Sequence, residues 1–140
     1  MSRIIRFLRR DRGSAVLEFA LVAPIFFTLV LGIMMFSRAY QRLNSLNSAL
    51  REGARIAAVQ PNPTASRNVI TAQMWQFSRG FGFTIDTARV QITPATFTAT
   101  TTTVTVGVTA YPLFAGLNFL GGLQSITVTR SAVFRWEYGP

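Results

Sequence analysis

The sequence predicts an α+β fold. A long N-terminal helix starts inside a membrane and continues beyond it as an amphipathic stem, a second short helix follows, and a three-stranded antiparallel sheet packs on the stem. Three observations lead there. Residues 19–37 carry no charge over a length that crosses a bilayer, apolar residues then recur every three or four positions as far as Ala57, and from Val90 onward apolar and polar residues alternate. The reading divides the chain into a basic leader (1–13), a transmembrane helix (14–37), a helical stem (38–59) and an exported α+β domain (64–140).

The uncharged run, FALVAPIFFTLVLGIMMFS, would be about 28 Å long as a helix, against a hydrocarbon thickness of ~30 Å. Eleven of its residues are Leu, Ile, Val or Phe, which together favour insertion by roughly 3 to 7 kcal/mol. Glu18 sits at the edge of the run and does not cancel that. Pro24 and Gly32 are commoner in membrane helices than in soluble ones, and Pro24 is expected to kink this one. A cleaved secretory signal has a shorter apolar region and an A-x-A-like site. Here the run leads into Ser37-Arg38-Ala39-Tyr40-Gln41-Arg42, where Tyr40 and two arginines suit the membrane interface, so the helix reads as a retained anchor.

Charge sets the direction of crossing. Arg3, Arg6, Arg9, Arg10 and Arg12 precede the anchor with only Asp11 against them, and Arg38 and Arg42 follow it. The excess upstream is expected to keep the N-terminus in the cytoplasm and to place the bulk of the chain outside it. An arginine cluster is also the footprint of a nucleic-acid binder. Because this cluster ends where the apolar run begins, it is read as topology, and no nucleic-acid partner is expected.

Beyond the membrane, Leu43, Leu46, Leu50, Gly53 or Ala54, and Ala57 form one stripe with Gln, Asn and Arg between them. Gln60-Pro61-Asn62-Pro63 ends that helix. Glu52 and Arg55, three apart, form a solubilising pair on the exposed face. Gly53 lowers helix propensity and marks either close approach of another backbone or simple tolerance. The second helix is expected over 64–79, capped by Thr64 or Ser66, with Val69, Ile70, Gln73, Met74 and Phe77 on its inner side and Trp75 off that stripe. Gly80-Phe81-Gly82-Phe83 breaks it. Strands are expected around Val90 and Ile92, through Val104, Val106, Val108 and Ala110, and through Ile126, Val128, Ala132, Phe134, Trp136 and Tyr138, the last interrupted by Arg130. Eight threonines between Thr96 and Thr109 read as solvent-face strand residues rather than a glycosylated ridge. The apolar segment 112–123 either closes the end of the sheet or contacts another subunit or the membrane surface.

Composition removes much of enzymology. There is no His, no Cys and no Lys, hence no imidazole base or ligand, no thiolate or disulfide, no Schiff base and no P-loop lysine. Beyond the anchor only Glu52, Asp86 and Glu137 are acidic, and nothing in their spacing sets them in one cleft. No catalytic residue, cofactor or metal site is assigned.

The junction of leader and anchor reads Arg12-Gly13-Ser14-Ala15-Val16-Leu17-Glu18-Phe19. A basic leader, a glycine, a small residue and a lone carboxylate in an apolar helix start resemble a type IV prepilin site. The resemblance implies a cut by prepilin peptidase between Gly13 and Ser14, on the cytoplasmic side. Glycine before a small residue suits an extended, protease-accessible backbone. Glu18 then stands fifth in the mature chain, where the family places a glutamate that partners the new N-terminal amine, usually a neighbouring subunit's, and so fixes helix register. The bland alternative is a carboxylate snorkelling to water or pairing with leader arginines.

From Gly13 to Val59 the chain resembles the TadE-like proteins, minor pilins (pseudopilins) of the Tad or Flp pilus machinery. The resemblance rests on RGSAVLEFALVAPIF, Gly32, Arg38-Ala39-Tyr40 and Arg51-Glu52-Gly53-Ala54-Arg55, with weaker support from Tyr111-Pro112 and the final strand. It implies a type IV pilin-like architecture and a role in pilus assembly or function without catalysis. The implied partners are prepilin peptidase, other pilus subunits, inner-membrane assembly proteins and membrane lipid. Flp-type major pilins are little more than the apolar helix, so a domain beyond the stem suggests a minor subunit. Lateral helix packing would use Ala20, Ala23, Pro24, Gly32 and Gly53. Two other classes stay open on sequence: an uncleaved, signal-anchored periplasmic binding or adhesion module, and an enzyme using paired carboxylates.

Overall fold

The computed structural model describes the backbone of residues 2–114 and 126–140, with side chains from residue 14 onward within those ranges. It is α+β, as expected. Helix α1 spans Ser2–Ala58 and α2 spans Arg67–Gly80; strands β1 (Val90–Thr93), β2 (Thr103–Pro112) and β3 (Thr127–Arg135) form one antiparallel sheet in the order β1-β2-β3. The chain divides into two compact units, Met1–Arg38 and Ala39–Pro140.

The first unit is helix alone. It runs unbroken through Pro24, where the Thr28 hydroxyl donates to the Pro24 carbonyl at 2.7 Å. Thirteen large apolar side chains between Val16 and Phe36 are 49–72% exposed. No described side chain of this unit covers them, so the helix presents an apolar surface of the kind a membrane span carries.

The second unit has a dry core. The stem presents Leu46, Ala49, Leu50, Ala54 and Ala57, α2 adds Ile70 and Met74, and β2 adds Val104, Val106 and Val108, all essentially without solvent contact. The stripe expected from the three-and-four spacing is therefore the one that packs, with Leu43 half-buried at its upstream end. Gly53 lies inside this contact. A methyl group there would meet Met74 Sδ and stand 2.7 Å from Met74 Cγ, so the close neighbour is a side chain of α2 rather than another backbone.

Helix α2 starts three residues later than expected. The Asn62 side chain accepts the Ala65 N–H at 3.1 Å, which holds 62–65 in a turn and leaves Ser66 as N-cap without a side-chain bond. The inner face is Ile70, Thr71, Met74 and Ser78; Val69, expected inside, is 54% exposed and Gln73 is exposed too, because packing centres the stripe on Ile70 and Met74. The helix closes on a Schellman motif. Gly82 at φ +73° lets its N–H reach Arg79 O at 3.0 Å and the Phe83 N–H reach Ser78 O at 3.4 Å. Trp75 is partly exposed under the Arg79 guanidinium, 4.7 Å from the ring centroid.

In the sheet, Val90 pairs with Val108 and Val106 with Ala132. The inward alternation Val104, Val106, Val108 does not continue to Ala110. The register slips by one between Val108 and Tyr111, Ala110 takes a positive φ of 50°, and Tyr111 occupies the buried place that alternation alone assigned to Ala110. The inner face of β3 is wetter than expected: Val128 and Ala132 are half-buried and Trp136 is buried, but Phe134, Ile126 and Tyr138 are exposed. The physical reason is that β3 is an edge strand, with β2 alone beside it among the described strands. Of the threonines, Thr98 and Thr101 close a turn, the Thr98 N–H donating to Thr101 Oγ1 at 3.0 Å. Most of the apolar segment 112–123 lies outside the described residues.

The C-terminus closes the stem. The last carbonyls of a helix lack partners within it, and here the Glu137 N–H donates to Ala58 O at 3.0 Å while the Trp136 indole Nε1 donates to Gln60 O at 2.8 Å.

Candidate functional site

The residues singled out from sequence fall on the first unit and the stem. Arg9, Arg10, Arg12 and Gly13 lie on helical backbone, and the side chains of the leader are outside the described residues. The helix passes through Gly13 and Ser14 without a break, so the bond expected in extended backbone is helical. A peptidase would have to unwind it. A glycine at this point eases that, since it destabilises a helix interior by about 1 kcal/mol relative to alanine.

One turn on, the Ser14 hydroxyl donates to Glu18 Oε1 at 3.4 Å, and both side chains are exposed. The carboxylate therefore keeps most of its hydrogen-bonding capacity, which is what pairing with a cation outside this chain requires.

Ala20, Pro24 and Gly32 fall on one row with Thr28 between them, each four residues from the next. Such a row is a ridge on a helix surface, and small residues along it allow a second helix to come near. A methyl group added at Gly32 would touch nothing within 4 Å, so no contact within the chain requires a glycine there. Ala23 flanks this ridge at Ala20. Thr28 was not singled out from sequence, yet its spacing of four from both Pro24 and Gly32 was the available signal. Its hydroxyl bonds back to the Pro24 carbonyl, four residues earlier.

The three carboxylates of the second unit do not work together. Glu52 accepts from Arg55 at 2.6 and 3.0 Å, and this pairing holds its carboxyl below the ordinary value. Asp86 caps a short 3-10 turn at Ala88 N and pairs with Arg89 at 3.0 Å. Glu52 and Asp86 thus each have a local structural partner. Among the described residues no group of three or more metal-ligating side chains occurs.

Helix α1 from Ser14 onward is long and apolar enough to cross a membrane, and is a candidate anchor. Residues 13–55 match the family model described as TadE-like protein. That segment is similar to the TadE-like family. It opens at Gly13, takes in the whole exposed helix and ends at Arg55, inside the stem's packed stripe. The TadE-like family is one of pilus components and not of enzymes. No curated protein and no solved structure gives a significant match to the chain. The TadE-like segment covers less than a third of the chain; α2 and the sheet lie beyond it.

Proposed function

We propose that the chain is a minor pilin, or pseudopilin, that takes part in assembling a Tad (Flp-type) pilus. Prepilin peptidase cuts after Gly13 on the cytoplasmic side, the apolar helix stays in the inner membrane, and the α+β domain is periplasmic. The reading is carried by one juxtaposition: a TadE-like segment that opens at Gly13 and runs into a helix whose large apolar side chains are exposed. After the cut, the Ser14 ammonium and the Glu18 carboxylate of neighbouring copies neutralise each other at the membrane edge, where an unpaired charge is costly. Neighbouring helices then approach along the ridge of Ala20, Pro24, Thr28 and Gly32, and other pilus subunits and inner-membrane assembly proteins are the partners.

The helical backbone at Gly13 and Ser14 favours a second reading, an uncleaved anchor that holds a periplasmic binding or adhesion module. Mass spectrometry of the N-terminus of the membrane-purified protein separates the two. The first requires Ser14 at the start, and Gly13→Leu should then accumulate the full-length precursor. A chain beginning at Met1 or Ser2, with mobility unchanged by that substitution, would reject processing.

A further inference from the structure

The two outer edges of the sheet are finished differently. β1 is four residues long, and the Arg67 guanidinium donates to Val90 O at 2.8 Å and to Thr87 O and Ala88 O beside it. β3 is nine residues long, with β2 on one side and no described strand on the other. The Trp136 N–H donates to Thr102 O below the bulge, and the Leu113 N–H to Ile126 O above it. Alternation along an antiparallel ladder then turns the backbone groups of Thr127, Thr129, Ser131, Val133 and Arg135 outward. An edge of this length is a template for another strand.

A cleft of about 410 Å³ runs along this edge, lined by Asn47 and Arg51 of the stem and by Arg130, Ala132 and Phe134 of β3. Arg130 is opposite Val108 and Phe134 opposite Val104, so Arg130 lies on the core-facing side, where the alternation calls for an apolar residue. Other arginines of this unit are engaged: Arg55 with Glu52, Arg89 with Asp86, Arg67 and Arg135 with carbonyls, Arg79 with Trp75. Arg51 and Arg130 make no hydrogen bond or ion pair with a described residue.

We propose that the open edge of β3 accepts an added strand from an acidic partner protein, one carboxylate of which is received by Arg51 and Arg130. Main-chain hydrogen bonds supply affinity in this mode of recognition, and alternate side chains supply specificity. A second copy of the chain is a poor occupant. The unit from Ala39 holds eight arginines and three carboxylates, and Glu52 and Asp86 are already paired within it, so two copies repel. The proposal does not depend on cleavage at Gly13.

The test uses the full chain in lipid nanodiscs and a fluorescein-labelled peptide of alternating Val and Glu, beside the same peptide with Lys in place of Glu. The Glu peptide should bind, the Lys peptide should not, and the amides of Thr127, Thr129, Ser131 and Val133 should gain protection from hydrogen exchange. Arg51→Gln with Arg130→Gln should weaken binding about tenfold or more, the loss expected for charge-assisted hydrogen bonds. Val133→Pro should also abolish it, because that N–H faces outward and its removal costs the sheet no ladder bond. Equal affinity for the two peptides, failure of the Glu peptide to bind, or protection confined to other elements would overturn the proposal. So would an Arg130→Gln chain that self-associates yet binds the Glu peptide unchanged, since Arg130 would then only guard the edge against aggregation.

Discussion

Replacing Gly53 by alanine tests the packing of the second unit at its tightest point. The added methyl would stand 2.7 Å from Met74 Cγ and 3.2 Å from Cε, and closer still to Sδ. Met74 has no solvent exposure, so its side chain has no free space to swing into. Overpacking of this kind costs about 1–3 kcal/mol, while alanine gains about 1 kcal/mol of helix propensity over glycine. The net change is a loss of about 0–2 kcal/mol. A double-mutant cycle with Met74→Ala isolates the clash. That truncation costs about 2–5 kcal/mol by itself, but with the thioether gone Gly53→Ala should stabilise by the full ~1 kcal/mol of propensity, a coupling of about 1–3 kcal/mol between the two sites. Urea unfolding of the full chain in detergent, followed through Trp75 and Trp136 fluorescence, measures each corner; in a thermal melt, 1 kcal/mol is about 4–8 °C for a unit of this size. Gly53→Ala stabilising by the same amount in both backgrounds would refute the argument, because the glycine would then be a tolerated defect and not a notch for Met74.

Three further substitutions probe the sheet and the stem's end. Ala110→Gly should raise the unfolding free energy by about 1 kcal/mol, read as a higher urea midpoint, since an L-residue at positive φ is strained by roughly that amount and the bulge is otherwise unchanged. Burial raises the Tyr111 hydroxyl above its ordinary 10.0, with Arg42 partly opposing. The unfolded chain therefore ionises first, and stability that is complete below pH 10 falls as pH climbs through the folded value. Tyr111→Phe should flatten that alkaline limb in unfolding curves measured across the range. Trp136→Phe keeps the ring against Phe97, 5.0 Å away, but removes the indole bond to Gln60 O, and should cost about 1–2 kcal/mol with faster hydrogen exchange at the end of α1.

Several elements were legible because their signals are local. Leu46, Leu50 and Ala57 recur with helical spacing, and Val104, Val106 and Val108 alternate with polar residues; each pattern buries the face it marks. The bulge at Ala110 was not legible, because alternation carries no record of an extra residue whose cause is the pairing of β2 with β3. Val69 was misplaced because a three-and-four spacing fits more than one stripe, and packing selected the one through Ile70, Met74 and Ser78.

By itself the sequence determined a helix long and apolar enough to cross a membrane, since length and hydropathy are properties of one continuous stretch. Only the tertiary structure decided that Met74 is what Gly53 makes room for, that Arg67 seals one sheet edge and that Arg51 and Arg130 share a cleft beside the other. Those relations join residues more than twenty positions apart, and their distances are set by how helix and sheet pack, which no local period encodes.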